Sequence, residues 1–216
     1  MVGYGRKLQA LAVALSSLAG FVDAIGFITL GGVFVSFMSG NSTRLSVGLA
    51  DGLWHEAGIV AGVLALFVVG VIIGGIVAEL NDHSRRARKT AVLATVTGLL
   101  FVGSIGAVLD WTPLSIIAII LAMGAENAVF RRNGEVSIAL TYMTGALVKI
   151  GQRIAAAFFG GPRWTWLPYL GLWGGLIGGA ILGALAHKFL GLHALWIATA
   201  FAGILTVGVH SLPYRS

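Results

Sequence analysis

Between residues 57 and 80 the chain carries one charged side chain, Glu79, and no alternation of apolar and polar positions that a strand would need. Runs of about 20 such residues can cross a ~30 Å hydrocarbon core as helices. No water reaches backbone N–H and C=O groups in that core, so only helices or a closed barrel can span it. Continuous apolar runs lack the dyad pattern of barrel strands, which leaves helices. The composition points the same way: 57% of residues are hydrophobic, 10% are charged and the mean hydropathy is +0.94. A soluble domain would carry roughly a quarter charged residues. The expected fold class is an all-α integral membrane protein.

Length and polarity divide the chain into eight segments, at residues 8–30, 34–50, 57–80, 90–109, 113–130, 136–159, 167–189 and 192–212. Six are apolar enough to span. The second is interrupted by Asn41-Ser42-Thr43-Arg44, and the sixth is polarised by Lys149, Gln152 and Arg153. Lys and Arg in short loops set orientation, so loop charge tests whether these two cross. If they do not, and the amino terminus is cytoplasmic, Arg6, Lys7, Arg85, Arg86, Arg88, Lys89, Arg131, Arg132, Arg163 and Arg215 fall inside and Lys188 alone outside. If all eight cross, the better orientation leaves four of these eleven bases outside. The expectation is one membrane domain, 1–216, with six transmembrane helices, two re-entrant or broken helices and both termini cytoplasmic. The basic residues 1–7 precede an apolar run too long for a signal peptide and without a small-residue cleavage site, so they open an uncleaved first span.

The two unusual segments carry one motif in two copies. Phe37-Met38-Ser39-Gly40, then Arg44, returns about 105 residues later as Tyr142-Met143-Thr144-Gly145, then Lys149. Upstream, Val22-Asp23-Ala24-Ile25-Gly26-Phe27 corresponds to Ala125-Glu126-Asn127-Ala128-Val129-Phe130. Segments one to four thus map onto five to eight, as repeats of about 8–109 and 113–212. A unit with three crossings is odd, so its second copy enters from the opposite face. Such inverted-topology repeats build many secondary transporters, with sites near the midplane at discontinuous helices. They also build channels and scaffolds, and fold alone does not choose among these.

Of the eight acidic residues, only Asp23 and Glu126 lie well inside spans. An ionised side chain at mid-bilayer costs about 2.5–3.5 kcal/mol on insertion scales, so such a group is paired, protonated or next to water. Arg44 and Lys149, each four residues after its motif glycine, are the available partners. Either the acids bind a cation or a coupling proton, or they form salt bridges that pin the short segments. Ser39-Gly40-Asn41-Ser42 reads as a helix break and restart, since glycine allows unusual backbone angles and Ser or Asn can cap a new helix. A helix starting inside the membrane aims free N–H groups at its surroundings and favours an anionic or carbonyl ligand. The plainer alternative is that Asn41 satisfies only its local backbone. Thr144-Gly145 repeats the pattern with weaker capping, because Ala146 replaces the asparagine. The candidate substrate- or ion-binding residues are Asp23, Ser39, Gly40, Asn41, Arg44, Glu126, Asn127, Thr144, Gly145 and Lys149.

Other chemistry finds little support. The chain has no cysteine and no histidine pair at metal-ligand spacing. Walker, dinucleotide, HExxH and GxSxG motifs are missing, so no metal, no cofactor and no enzymatic activity are expected. The net charge of +6 sits mostly in short loops, which fits orientation in a lipid bilayer and not nucleic-acid binding. Gly171, Gly174, Gly175, Gly178, Gly179 and Gly183, with Gly70, Gly74 and Gly75, offer flat helix faces. Static packing is the plainer use of such faces, and a homodimer is the other. Trp164, Trp166 and Trp173 with Tyr169 form an interfacial aromatic belt.

Gly20-Phe21-Val22-Asp23-Ala24-Ile25-Gly26-Phe27, residues 34–41 ending Met-Ser-Gly-Asn, Met123-Gly124-Ala125-Glu126-Asn127-Ala128 and Tyr142-Met143-Thr144-Gly145 resemble the YoaK-like family. These are bacterial multi-pass inner-membrane proteins of unknown function, and the resemblance covers nearly the whole chain. It implies an inner-membrane location and supplies no substrate. The family commonly has Thr at the position of Ser39, which keeps the hydroxyl, and Gln at the position of Glu126. A charge at 126 is then no family requirement, and Asp23 becomes the better coupling residue.

The expected function is a small secondary transporter or exporter of a small polar or charged solute, with Asp23 binding a proton or a cation. Ser39, Gly40 and Asn41 would form a helix-start site, Arg44 and Lys149 would balance charge, and Glu126, Asn127 and Thr144 would form the pseudo-symmetric half. A non-transporting membrane scaffold or assembly protein, or a small channel, is the alternative.

Overall fold

The computed structural model describes residues 5–132, 135–136 and 143–211. These form helices α1 (Arg6–Thr29), α2 (Met38–Ala50), α3 (Trp54–Leu80), α4 (Arg85–Val108), α5 (Thr112–Glu126), α6 (Met143–Phe158), α7 (Leu167–Leu190) and α8 (Leu195–Ser211). A 3-10 turn, Asn127–Phe130, prolongs α5, and a second, Gly191–Ala194, joins α7 to α8. Arg131–Arg132 (β1) pairs antiparallel with Glu135–Val136 (β2), a two-residue ladder that the sequence did not suggest. Tyr142 of the second motif and Arg215 lie outside the described residues.

Local chemistry explains several boundaries. The Ala87 N–H donates to Ser84 Oγ at 3.0 Å, a side-chain cap that starts α4. Pro113 and Pro168 stand in the first turns of α5 and α7, where a missing N–H costs nothing. Gly52, with φ +72°, turns the chain between α2 and α3.

Five stretches among the described residues are long and apolar enough to cross a membrane: Arg6–Thr29, Trp54–Leu80, Arg85–Val108, Thr112–Phe130 and Leu167–His210. The last contains both α7 and α8. Val68, Val69, Ile72, Ile76 and Leu80 of α3 are exposed, as a lipid-facing side requires. The protein is a multi-pass helical membrane protein. α2 and α6, with 13 and 16 residues, fall short of the thickness of the bilayer core.

The bundle is organised by three helix pairs. α1 packs along α7, α3 along α5 and α4 along α8, while α5 also packs on α4 and is the most enclosed of the long helices. Lipid provides no hydrophobic drive between helices, so backbone approach and polar contacts must supply cohesion. A Cβ added at Gly179 or Gly183 would run into the carbonyl oxygens of Ser17 or Phe21 on α1, and one at Gly20 into that of Leu176 on α7. Across α3 and α5, a Cβ on Gly74 would lie 2.6 Å from the Ala125 carbonyl oxygen, and Gly124 meets the backbone of Phe67 and Gly70. These glycines are used in contacts within one chain. Hydroxyls complete the seams: Ser16 Oγ donates to Leu172 O (3.0 Å), Ser115 Oγ to Gly103 O (2.8 Å), and Ser104–Thr199 (2.9 Å) and Thr97–Thr206 (3.0 Å) bridge α4 and α8.

Neighbouring glycines separate contact from composition. Gly178 and Gly75 meet nothing within 4 Å of an added Cβ. Gly179→Ala should therefore destabilise the protein by about 1–3 kcal/mol through overpacking. Gly178→Ala should be neutral or slightly stabilising, since alanine favours the helix. Thermal unfolding in detergent distinguishes the two.

Candidate functional site

α1 ends at Thr29 and the chain reverses through Gly31 and Gly32, whose φ values of +61° and +99° suit glycine. Residues 30–37 then run back alongside α1 before α2 begins. Asp23 stands six residues before the end of α1, about 9 Å below it along the helix axis. Its Oδ1 accepts the N–H of Val35 at 2.8 Å and that of Ser36 at 2.7 Å. Asn41 is fully buried and holds Phe34 from both sides: its Oδ1 accepts the Phe34 N–H at 3.0 Å, and its Nδ2 donates to Phe34 O at 2.7 Å. Two side chains thus satisfy the backbone of a non-helical segment sunk below a helix end. Phe27, Phe34 and Phe37 pack together, Phe27 tilted against Phe34 with ring centroids 4.7 Å apart and Phe34 edge-to-face with Phe37 at 5.2 Å.

The break in the helical path consequently lies at residues 30–37, ahead of the Ser39-Gly40-Asn41-Ser42 stretch expected to carry it. Ser39, Gly40 and Asn41 occupy the first turn of α2, whose N-cap is Phe37 and makes no side-chain cap bond. Gly40 has a steric role, because a Cβ there would come within 2.6 Å of the Phe37 ring. Ser39 is exposed, and its carbonyl accepts the Thr43 hydroxyl at 3.3 Å.

Asp23 and Arg44 do not pair. The ion pair found among the described residues joins Arg88 to Asp82. The Arg44 guanidinium lies over Gly32, where an added Cβ would meet Nη1 at 2.9 Å. The reason is geometric: Asp23 is turned towards the amides of Val35 and Ser36, and Arg44 is on the exposed side of α2.

The second copy differs. Glu126 ends α5 with no exposure, and neither carboxyl oxygen has a hydrogen-bond partner among the described residues. Asn127 donates from Nδ2 to Met123 O at 3.0 Å, back into its own helix. Thr144 is exposed and Gly145 half-buried in the first turn of α6. Lys149 lies 5.4 Å above the Tyr169 ring on α7 and makes no ion pair with Glu126. α2 packs on α3 and α6 on α7, and the two short helices form no packed interface with each other. Asp23 and Asn41 therefore meet at residues 34–36, whereas among the described residues no packed interface joins α5, with Glu126 and Asn127, to α6, with Thr144, Gly145 and Lys149.

Sequence reasoning missed three contributors. The backbone amides of Phe34, Val35 and Ser36 have no side-chain signature. Lys89, counted as a loop base, is only 7% exposed and stands 5.3 Å over the Phe130 ring. Glu56 on α3 shares a groove with Arg44, which only the packing of α2 on α3 creates.

A family model described as a protein of unknown function (DUF1275) matches residues 11–208. The UPF0700 transmembrane protein RA0705 of Rhizobium meliloti (strain 1021) is 37% identical over 207 residues, covering 95% of this chain and 88% of that protein. The UPF0700 transmembrane protein YoaK of Bacillus subtilis (strain 168) is 31% identical over 157 residues, covering 70% and 69%. The resemblance drawn from the motifs is thereby borne out. No solved structure matches the chain.

The clamp on residues 30–37 makes a sharp prediction. Asn41→Ala leaves the buried Phe34 N–H and C=O without partners and should cost about 1–3 kcal/mol per lost group. Asp23→Asn keeps an acceptor oxygen for Val35 and Ser36 and should cost about 1 kcal/mol or less, whereas Asp23→Ala should resemble Asn41→Ala. The order of melting temperatures in detergent checks this.

Proposed function

The chain belongs to the DUF1275 family, whose function is unknown, and we propose that it is a small secondary transporter or exporter of a polar or charged solute. In this reading it is an inverted-topology repeat with six crossings and two short re-entrant helices. The packing scheme supports the repeat. Exchanging α1 to α4 for α5 to α8 turns the α1–α7 pair into α5–α3 and α2–α3 into α6–α7, and leaves α4–α8 unchanged. Leu167–His210, at 44 residues, would extend about 66 Å as one helix, twice the core thickness, so α7 and α8 count as two crossings.

The observation that carries the transport reading is the segment 30–37, non-helical and held below the end of α1 by Asp23 and Asn41. Irregular backbone at membrane depth is tolerated where protein buries it or where it lines a cavity, and transporters place their sites at such breaks. Asp23 is half-buried, its Oδ1 holds the loop, and it is the group that would carry the coupling proton or cation. Glu126, Asn127, Thr144, Gly145 and Lys149 would form the second half-site, reached from the other face. A non-transporting scaffold is the second reading. It is favoured by the use of Asp23 and Asn41 mainly to hold the backbone of residues 34–36.

Two experiments test these proposals. The chain has no native cysteine, so single cysteines at Asp51 and Pro162 report topology cleanly. Labelling with an impermeant maleimide should reach these two positions from opposite sides of the membrane; labelling from one side means that all eight helices cross. For transport, purified protein in proteoliposomes is exposed to amino acids, amines, small organic acids and inorganic ions under a proton gradient. At least one solute should evoke a current that Asp23→Asn abolishes without lowering the melting temperature. Silence towards the whole panel, or an unchanged Asp23→Asn current, leaves the scaffold reading standing.

A further inference from the structure

Arg44, which does not pair with Asp23, lines a groove of about 290 Å³ between α2 and α3 with Glu56. The buried Gly48, Ala57 and Val60 form its floor, and the two charged residues are exposed at its walls. They make no ion pair with each other among the described residues. Room for the guanidinium is secured by Gly32, since any side chain there would crowd Nη1. The groove opens outward, because α2 packs on α3 and its other faces are exposed. Trp54, 71% exposed, opens α3 beside it, as tryptophans do at the membrane–water boundary. Asp51 and His55, on and just after the connecting turn, are exposed and do not line the groove.

We infer that this groove binds a phospholipid headgroup in which a phosphate stands next to a primary ammonium, as in phosphatidylethanolamine. Arginine matches phosphate oxygens with a planar fork of donors. Glu56 accepts N–H from the ammonium, and the apolar floor receives the glycerol and upper chain carbons. A lipid is favoured over a free solute because the groove is open at the surface of a membrane protein and its floor is apolar. Phosphatidylcholine offers no N–H to Glu56, and phosphatidylglycerol offers no cation. This assignment does not depend on the transport reading.

Native mass spectrometry of delipidated protein with added phosphatidylethanolamine, phosphatidylcholine or phosphatidylglycerol of identical chains tests it. Phosphatidylethanolamine should be retained in preference. Arg44→Gln and Glu56→Gln should each weaken it about tenfold or more, as loss of a charge-assisted hydrogen bond implies. Glu56→Gln should also narrow the gap to phosphatidylcholine. Both side chains are exposed, so folding should survive, and thermal melts control for it. Equal retention of the three lipids, or unaltered binding in both variants, overturns the inference. So does soluble phosphoethanolamine binding as tightly as the lipid, which would reassign the groove to a free solute.

Discussion

A chain that leaves the helical path below the end of a membrane helix must find partners for the amides and carbonyls it exposes, because no water is there to serve them. Asp23 and Asn41 meet that requirement for residues 34–36. The position of α2 follows: with residues 30–37 held down, α2 begins at Met38 against Phe34 and rises along the first turns of α3. The groove shared by Arg44 and Glu56 exists only because of that placement.

The frame around this segment is stiff for a different reason. α1 and α7, and likewise α3 and α5, approach until backbone meets backbone, which Gly20, Gly175, Gly179 and Gly183, and Gly70, Gly74 and Gly124, permit. Hydroxyl bridges fasten α4 to α8. Among the described residues α2 and α6 are unlike this frame, since each rests mainly on one neighbour and exposes most of its surface. Segments with few packed contacts open at lower free energy than the core. A rigid frame carrying two loosely held short helices suits movement at the short helices, and this is where both motif copies lie.

The asymmetry between the copies is chemical. Asp23 is engaged by two amides, whereas Glu126 is enclosed at a helix end with neither oxygen partnered among the described residues. Arg44 lines a groove beside α3 with its guanidinium over Gly32, and Lys149 lies over the Tyr169 ring. Corresponding positions of the two motif copies thus make different contacts.

Membrane class, the eight helical segments and the prominence of Asp23 and Asn41 could be read from sequence, since length, hydropathy and an isolated polar residue in an apolar run are local properties. The glycine faces could also be read, but not their partners: Gly178 and Gly179 look alike in the chain, and only the crossing with α1 distinguishes them. Sequence suggested Arg44 as the partner of Asp23 because opposite charges attract and the spacing allowed it. The fold instead offered backbone amides, which every residue has and which leave no mark in composition. Gly40 reads locally as a helix breaker, whereas its neighbours make it a seat for an aromatic ring. What forms a helix was written in the sequence. What each polar side chain holds was decided by which backbone the tertiary structure brought within reach.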